Sequence, residues 1–375
     1  MSEPASSTRQ NLLGLDRRAL EGWFAERGER PFRARQLLPW VHRRGLDRFA
    51  PMSDLGKALR ARLEGEAQLR APRIEAEQRS ADGTRKWLLR LDDGNAIEAV
   101  LIPDGDRRTL CVSSQVGCAL NCRFCATARQ GFGRNLTRHE IIGQVWAVTR
   151  LLRGEAQAAG DEALALRPLT NVVLMGMGEP LLNLEEVLPA LRLMVDDLAY
   201  GFSRRRVTVS TAGVVPAIER LAEGSDVSLA VSLHAPDDAL RDELVPLNRK
   251  YPVDMLLEAC RRYAEGAPQR SVTFEYVLLA GVNDGPAEAR LLARRLAGLR
   301  CKVNLIPFNP FPGAPYRRPA QDRVDAFRGI LLRAGIRTIT RRPRGDDIDA
   351  ACGQLVGRVR DRTRRSRRLA AEVGA

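Results

Sequence analysis

Three cysteines, Cys118, Cys122 and Cys125, stand in the order C-x3-C-x2-C within the run CALNCRFCATARQG. This spacing brings three thiolates to one point, and no fourth ligand follows at a matching interval, so the segment must fold around whatever they bind. A structural zinc site closes its tetrahedron with four protein ligands, whereas a [4Fe–4S] cluster held by three thiolates leaves one iron open to a substrate. The triplet therefore predicts an iron–sulfur cluster. The alternatives are a chance triplet and a zinc site completed by Cys111 or His139.

From Leu110 onward, strand patterns alternate with helical patterns. The candidate strands are LCVSS, NVVLM, RVTVS, DVSLAVSL, SVTFEYVLL, KVNLI and IRTIT. Repeated βα units predict an α/β fold with a parallel sheet, open or partly closed into a barrel. Ligands of such sheets bind at the carboxyl ends of the strands. The cysteine triplet follows the first candidate strand and is therefore expected at the ligand-binding end.

The chain is strongly basic, since its 375 residues carry a formal net charge of +14 and give a pI near 10.2. This excess predicts a polyanion as partner, most simply nucleic acid. Four of the 60 basic residues are lysines and 56 are arginines, which pair with phosphates and stack on bases. The cysteines are expected to be reduced, and the sequence shows neither an apolar leader nor an apolar run of about 20 residues. These features predict a cytoplasmic protein that does not enter a membrane.

Two regions precede the α/β core, and a basic segment follows it. Residues 12–68 carry apolar side chains at helical spacing, which predicts a small bundle whose basic face is either an RNA contact or a solvated surface. The runs WLLRL and AIEAVLI flank the turn DDGN and predict a β-hairpin. The C-terminal run GRVRDRTRRSRR predicts a basic helix or tail suited to phosphate contacts. The predicted division is an RNA-binding helical domain (1–80), the hairpin (81–103), the core (104–345), and a C-terminal loop with a basic tail (346–375).

Two further features carry chemistry. In GMGEP, which directly follows the strand NVVLM, the glycines let a ligand approach the backbone and Glu179 offers a carboxylate to a cation. Cys352 lies in the polar, glycine-flanked run RGDDIDAACGQL, where a thiol can move and react. Spacing alone supports this role and an inert thiol about equally. Cys111, seven residues before the triplet, shares no ligand spacing with it.

Several long runs, in the same order, resemble the RNA adenine-2 methyltransferase family of the radical S-adenosylmethionine (SAM) superfamily. They are LCVSSQVGCALNCRFCATARQGFGRNL, NVVLMGMGEPLLN, RVTVSTAGVVP, SLAVSLHAPDDALRDELVPLNRKYP, VNLIPFNP and RGDDIDAACGQL. The resemblance implies a partial (β/α)6 barrel and an enzyme that methylates carbon 2 of an adenine in 23S ribosomal RNA and in transfer RNA. Relatives acting on carbon 8 share the same skeleton, so the ring carbon stays open at this point.

The resemblance also implies a mechanism that uses two SAM molecules per turnover. The cysteine triplet holds a [4Fe–4S] cluster that cleaves one SAM, with an electron from a reductant such as flavodoxin or ferredoxin. The other SAM methylates Cys352, and the methyl carbon reaches the base as a radical. Cys111 then releases the product by forming a transient disulfide with Cys352. We expect the enzyme to act as a monomer.

The remaining site residues carry over by motif position. Glu98, in the second hairpin strand, is implied as the acceptor of the ring proton, although by itself it reads as an exposed strand carboxylate. The implied SAM contacts are Gly178, Glu179, Ser210, Ser232, Leu233, His234 and Asn309. Serine, histidine and asparagine suit hydrogen bonds to ribose hydroxyls and to an adenine edge. A non-catalytic RNA-binding protein with a structural metal remains as the alternative from another class.

Overall fold

The computed structural model describes residues 9–267 and 270–365, and the last residues of the predicted basic tail lie outside this part. The chain forms two compact units. The first runs to Arg73 and includes Thr137–Pro168 and Glu186–Ser203. The second includes Ile74–Leu136, Leu169–Glu185 and the chain from Arg204 onward. Across the described ranges, no helix has both the length and the apolar character that crossing a membrane requires.

The strands and helices follow one another along the chain as listed next. The strands are β1 (Gln10–Asn11), β2 (Ala67–Gln68), β3 (Arg73–Arg79), β4 (Arg85–Arg90), β5 (Ala96–Asp104), β6 (Arg107–Cys111), β7 (Gln115–Gly117), β8 (Phe132–Asn135), β9 (Asn171–Leu174), β10 (Val207–Thr211), β11 (Ser228–Ser232), β12 (Val272–Leu278), β13 (Cys301–Pro307) and β14 (Thr338–Thr340). The helices are α1 (Arg17–Ala25), α2 (Arg33–Leu38), α3 (Lys57–Glu66), α4 (Ala126–Arg129), α5 (Arg138–Ala158), α6 (Glu162–Leu166), α7 (Leu184–Val195), α8 (Val215–Gly224), α9 (Asp238–Leu244), α10 (Val253–Glu265), α11 (Pro286–Leu296) and α12 (Gln321–Arg333).

A ten-stranded sheet forms the second unit, in the order β14-β13-β12-β11-β10-β9-β6-β5-β4-β3. Its pairings from β6 through β9 to β14 are all parallel, and α8 to α12 occupy the connections from β10 to β14. Every residue of β12 is buried, as expected for a parallel strand covered on both faces. The predicted α/β class and partial barrel are confirmed. The first predicted strand, LCVSS, is wrong in its second half, since β6 ends at Cys111.

The hairpin predicted before the core is present. Strands β4 and β5 pair antiparallel, with Leu88 opposite Glu98, and β5 in turn pairs antiparallel with β6. The chain after β14 returns to this hairpin, where Arg358 forms an isolated bridge with Ala96 at the start of β5. The C-terminal segment is thereby attached to the hairpin.

The first unit contains the N-terminal helices and the long helix α5. Asp16 caps α1 by accepting from the Ala19 N–H (2.9 Å), and the apolar face of this helix is buried. A capping box of Thr137 and Glu140 starts α5. Its Trp146 donates from Nε1 to the Val41 carbonyl (2.8 Å), which ties α5 to the π-helical turn 39–43. The helices expected in residues 12–68 are confirmed.

Candidate active site

One open cavity of about 170 Å³ in the second unit lies where the parallel strands end. Ten of the predicted site residues line it: Cys118, Cys122, Cys125, Gly178, Glu179, Ser210, Ser232, His234, Asn309 and Cys352. Leu233, Cys111 and Glu98 are not among its lining residues. The cavity thus collects the cysteine triplet, the GMGEP turn and the C-terminal loop, which are far apart in the sequence.

The cysteine triplet lies in the loop between β7 and α4. Burial raises the pKa of Cys118 to about 12, and it also raises the pKa values of Cys122 and Cys125. Buried thiols of this kind stay protonated until a cationic centre stabilises the thiolates. Their charge state is therefore tied to whatever metal group they bind.

The donor set fits the cluster that the triplet predicts. All three cysteines line the same cavity, together with the GMGEP turn and Cys352. In residues 9–267 and 270–365, no group of three or more His, Cys, Asp or Glu side chains is arranged to hold a single metal ion. A [4Fe–4S] cluster differs from such an ion, because each thiolate binds its own iron and the sulfurs lie further apart. Cys118, Cys122 and Cys125 are the residues that would hold it.

The GMGEP turn depends on a glycine and on a buried carboxylate. Gly178 has φ +99°, and a Cβ there would lie 2.5 Å from Cβ of Gln115. Glu179 accepts the Leu181 N–H at Oε1 (3.0 Å) and the Ala212 N–H at Oε2 (2.7 Å). Burial raises the pKa of Glu179 to about 7. Glu179 therefore joins two strand ends as well as presenting a carboxylate to the cavity.

His234 is a neutral ring in the cavity wall. Burial, more than the nearby charge of Arg241, lowers its pKa to about 3, and its Nδ1 accepts the Val277 N–H at 3.0 Å. Its ring meets the ring of Phe124, which precedes Cys125, edge-on at a centroid distance of 4.5 Å. The ring thus packs directly on the cysteine loop.

Arg241 is a buried residue that sequence reasoning missed. Its guanidinium donates to the carbonyls of Leu233 (3.0 Å), Ala212 (2.6 Å) and Ser232 (3.1 Å) and to Oδ1 of Asn248 (2.8 Å). These bonds fix the loops that follow β10 and β11, which carry the predicted SAM contacts. Nothing in the sequence distinguishes this arginine from its many neighbours.

Cys352 is exposed and faces a charged pair that was also missed. Nη1 of Arg341 is 3.4 Å from the Cys352 sulfur and 4.0 Å from Oε2 of Glu275, a residue only 4% exposed. Glu275 and then Cys352 raise the pKa of Arg341. The Arg341 N–H donates to the Leu305 carbonyl (2.8 Å), which fixes its backbone beside β13. A guanidinium so placed stabilises negative charge on the sulfur.

Cys111, the last residue of β6, is buried close to Cys352. Burial raises its pKa to about 12; the charge of Cys352 raises the pKa further and that of Arg341 lowers it. Both cysteines that the resemblance paired are free thiols, and their pairing stays a prediction.

Glu98 is buried, which differs from the exposed carboxylate that its strand position suggested. Its Oε1 is 3.4 Å from Nζ of Lys86, and its Oε2 accepts the Val356 N–H (2.8 Å). Burial raises its pKa against the opposing effect of Lys86. Glu98 thus touches the segment that follows Cys352, because the chain after β14 packs against the hairpin.

Comparisons with known proteins agree with this arrangement. Residues 10–69 match the family model described as ribosomal RNA large subunit methyltransferase N-terminal domain, and residues 112–292 match the radical SAM superfamily. The chain is 56% identical over 362 residues to a dual-specificity RNA methyltransferase RlmN of Marinobacter nauticus, covering 96% of each chain. It is 59% identical over 359 residues to one of Alkalilimnicola ehrlichii, covering 96% of this chain and 97% of the relative.

A solved structure extends the likeness to three dimensions. It is a radical SAM methyltransferase from Sphaerobacter thermophilus, 48% identical, with a TM-score of 0.83. The match covers 92% of this chain and 99% of that one. The whole architecture described above is therefore shared with a protein of that class.

Proposed function

Because the chain belongs to the RlmN family of dual-specificity RNA methyltransferases, we propose that it methylates carbon 2 of an adenine in 23S ribosomal RNA and in transfer RNA. As a radical SAM methyltransferase it uses S-adenosylmethionine and an iron–sulfur cluster. The observation that carries the finer proposal is that Cys352 and the cysteine triplet line one cavity. Family membership also favours an enzyme over the non-catalytic alternative.

The substrate carbon dictates the type of reaction. A ring carbon bonded to hydrogen between two nitrogens is electron-poor, so it does not attack the methyl group of SAM directly. When bound, the cluster supplies the electron that cleaves SAM to a radical able to remove hydrogen from a methyl group. The protein must therefore hold a methyl group near that radical, and Cys352 is the nucleophile placed to carry it.

We assign two roles to residues around the Cys352 sulfur. Cys352 as thiolate attacks the methyl carbon of SAM, forming the S–C bond and releasing S-adenosylhomocysteine. Arg341, 3.4 Å from the sulfur, stabilises the thiolate before this attack. Cys111 later gives up its proton as its sulfur attacks the Cys352 sulfur and forms the S–S bond. The bond from Cys352 to the product carbon breaks, and its electron pair and one proton complete the methyl group on the base, which leaves a disulfide. The electrostatic interaction of Cys111 with Cys352 supports this pairing.

Glu98 is proposed as the acceptor of the ring proton. Burial raises its pKa above the usual value of a glutamate, which makes the carboxylate a better proton acceptor. Its bond to the Val356 N–H ties it to the segment four residues beyond Cys352.

The test is a methylated-nucleoside profile of ribosomal and transfer RNA, made with and without the enzyme and compared with 2-methyl- and 8-methyladenosine standards. We expect 2-methyladenosine in both RNAs. Replacement of Cys352 by Ala removes the methyl carrier, so we expect product to fall below detection while iron content stays unchanged. The matched control is Cys301→Ala, a half-buried thiol on β13 that does not line the cavity. Product from the Cys352 variant, or 8-methyladenosine from the natural chain, contradicts the proposal.

A further inference from the structure

The segment 352–365, which we call the C-terminal strap, lies along the loop that carries the cysteine triplet. The Ala126 N–H donates to the Gly353 carbonyl (2.7 Å), and Oγ1 of Thr127 donates to the Leu355 carbonyl (2.7 Å). Further along, Nε2 of Gln130 donates to the Gly357 carbonyl (2.7 Å). The strap thus follows the loop from its third cysteine towards β8.

The contact continues to the start of β8, at Phe132. Oδ1 of Asp361 accepts the Phe132 N–H (3.3 Å), and the Arg362 N–H donates to the Phe132 carbonyl (2.9 Å). Gly131 has φ +82°, and a Cβ there would lie 2.1 Å from Oδ1 of Asp361. A side chain at position 131 would collide with the Asp361 carboxylate, so glycine at this position allows the strap to pack against the loop.

Arg365 closes the contact from the other end of the loop. Its Nη1 donates to the carbonyls of Leu120 (2.6 Å), Ala128 (2.8 Å) and Cys118 (3.3 Å), and its Nη2 donates to the Ala119 carbonyl (3.3 Å). The loop has no helix or strand between Cys118 and Cys125, so its carbonyls have no regular ladder to join. One guanidinium therefore binds carbonyls at the start of the cysteine loop and a carbonyl of α4 that follows the third cysteine.

The chemistry of arginine suits this task. A guanidinium presents five donors in a fixed planar fork, whereas a lysine presents a compact ammonium on a flexible stem. Hydrogen bonds from a charged donor are about twice as strong as neutral ones. Arg365 belongs to the basic run predicted to contact phosphates, but in the structure its side-chain donors bind backbone carbonyls of the protein.

We propose that Arg365 is a positioning residue that holds the cluster-binding loop in its ligating conformation, and that the strap thereby makes cluster retention depend on the same segment that carries Cys352. This inference rests on the proposed cluster site but not on the choice of RNA or ring carbon. The cluster is bound by the three cysteines alone. Arg365 acts through the backbone that presents them.

The experiment measures iron release without RNA. The purified full-length enzyme, reconstituted without oxygen, is mixed with a strong iron chelator, and the decay of the cluster absorbance is followed over time. We expect Arg365→Ala to release iron about tenfold faster than the natural chain, because several charge-assisted hydrogen bonds are lost. Arg365→Lys keeps the charge but loses the fork, so its release rate should lie between the two.

Arg362→Ala is the matched control. Arg362 is exposed, and its replacement removes the same charge from the strap as Arg365→Ala does. Its bond to the Phe132 carbonyl comes from the backbone N–H, which alanine keeps. We expect this variant to release iron at the natural rate. Equal release rates for the natural chain, Arg365→Ala and Arg362→Ala would overturn the proposal.

Hydrogen exchange of the cluster-free enzyme supplies a second readout. In both Arg365 variants, faster exchange should be confined to residues 118–131, with the amides of β10 to β13 unchanged. If Arg365→Ala does not fold, Arg365→Lys alone decides, and natural exchange in its loop contradicts the inference. A natural chain that binds no iron would instead refute the proposed function, so the two failures are distinguishable.

Discussion

At Cys352, the sulfur that we propose to receive the methyl group lies 3.4 Å from a guanidinium nitrogen of Arg341. Arg341 is held in turn by Glu275, whose Oε1 accepts from Nδ2 of Asn304 (2.8 Å). A chain of three side chains from adjacent strands thus orients one cation at the nucleophile. The arrangement resembles the way other thiol enzymes stabilise a reactive thiolate with a neighbouring cation.

Replacement of Arg341 by Ala should slow methylation of Cys352 by about 100-fold, because the cation that stabilises the thiolate is removed. Arg341→Lys should lose less, since the charge remains. The measurement is the intact mass of the protein after timed incubation with SAM, which counts methyl groups on the chain. Arg328→Ala is the control, since Arg328 is exposed on α12 and lies outside the cavity that Cys352 lines. A natural methylation rate in Arg341→Ala would exclude this role.

The sequence predicted some of these residues and not others for a physical reason. Cysteine spacing is a local pattern, so the triplet and its position after β6 followed directly from the order of residues. Arg241, Arg341 and Arg365 act on carbonyls or sulfurs distant in the sequence. Among 56 arginines, no local signal separates these three from the solvated ones. Only the fold reveals their partners.

At the scale of the element, the turn after β9 shows what the backbone contributes. NVVLM predicted a strand, which is present as β9, and the GMGEP turn that follows it lines the cavity; that this turn binds a ligand stays a prediction. The reason for Gly178 lies in Gln115, which leads β7 and occupies the space where a side chain would go. That contact joins two connections of the barrel, so the sequence of the turn does not predict it.

Gly178→Ala should destabilise the fold by about 3 kcal/mol, because it combines an unfavourable positive φ with a clash against Gln115. Gly281→Ala is the control: Gly281 has φ +71°, and a Cβ there would have nothing within 4 Å. The Gly281→Ala variant should lose about 1 kcal/mol of its free energy of unfolding. Equilibrium denaturation in urea measures both values. Equal values for the two variants would show that the contact with Gln115 does not matter.

At the scale of the whole molecule, the net charge of +14 is the feature most relevant to RNA. Three arginines of the predicted basic face, Arg35, Arg43 and Arg44, are exposed in the first unit. Because these arginines are exposed, their side chains can reach RNA phosphates, but exposure alone does not identify such a contact. The predicted division of the chain into four regions, and the RNA-binding role of residues 1–80, therefore stay predictions.

The charge gives a quantitative expectation for RNA binding. If about four phosphates are contacted, the affinity should fall by about 100-fold between 50 and 200 mM salt, because each contact releases condensed counterions. Fluorescence anisotropy with a labelled transfer RNA measures this slope. A second RNA of equal length without the substrate adenine should give the same slope with weaker binding. An affinity independent of salt would contradict an electrostatic mode of binding.

The C-terminal strap also bears on how the enzyme is made. The cysteine triplet leaves the ribosome well before residues 352–365 are synthesised. The nascent chain therefore presents three thiols on a loop that the C-terminal strap does not yet hold. A cluster delivered at that stage would meet a binding segment lacking Arg365 and the bonds around it. Metal loading is then best timed after translation has passed the strap, and chains cut short beyond Cys352 would keep every reacting group yet mature poorly.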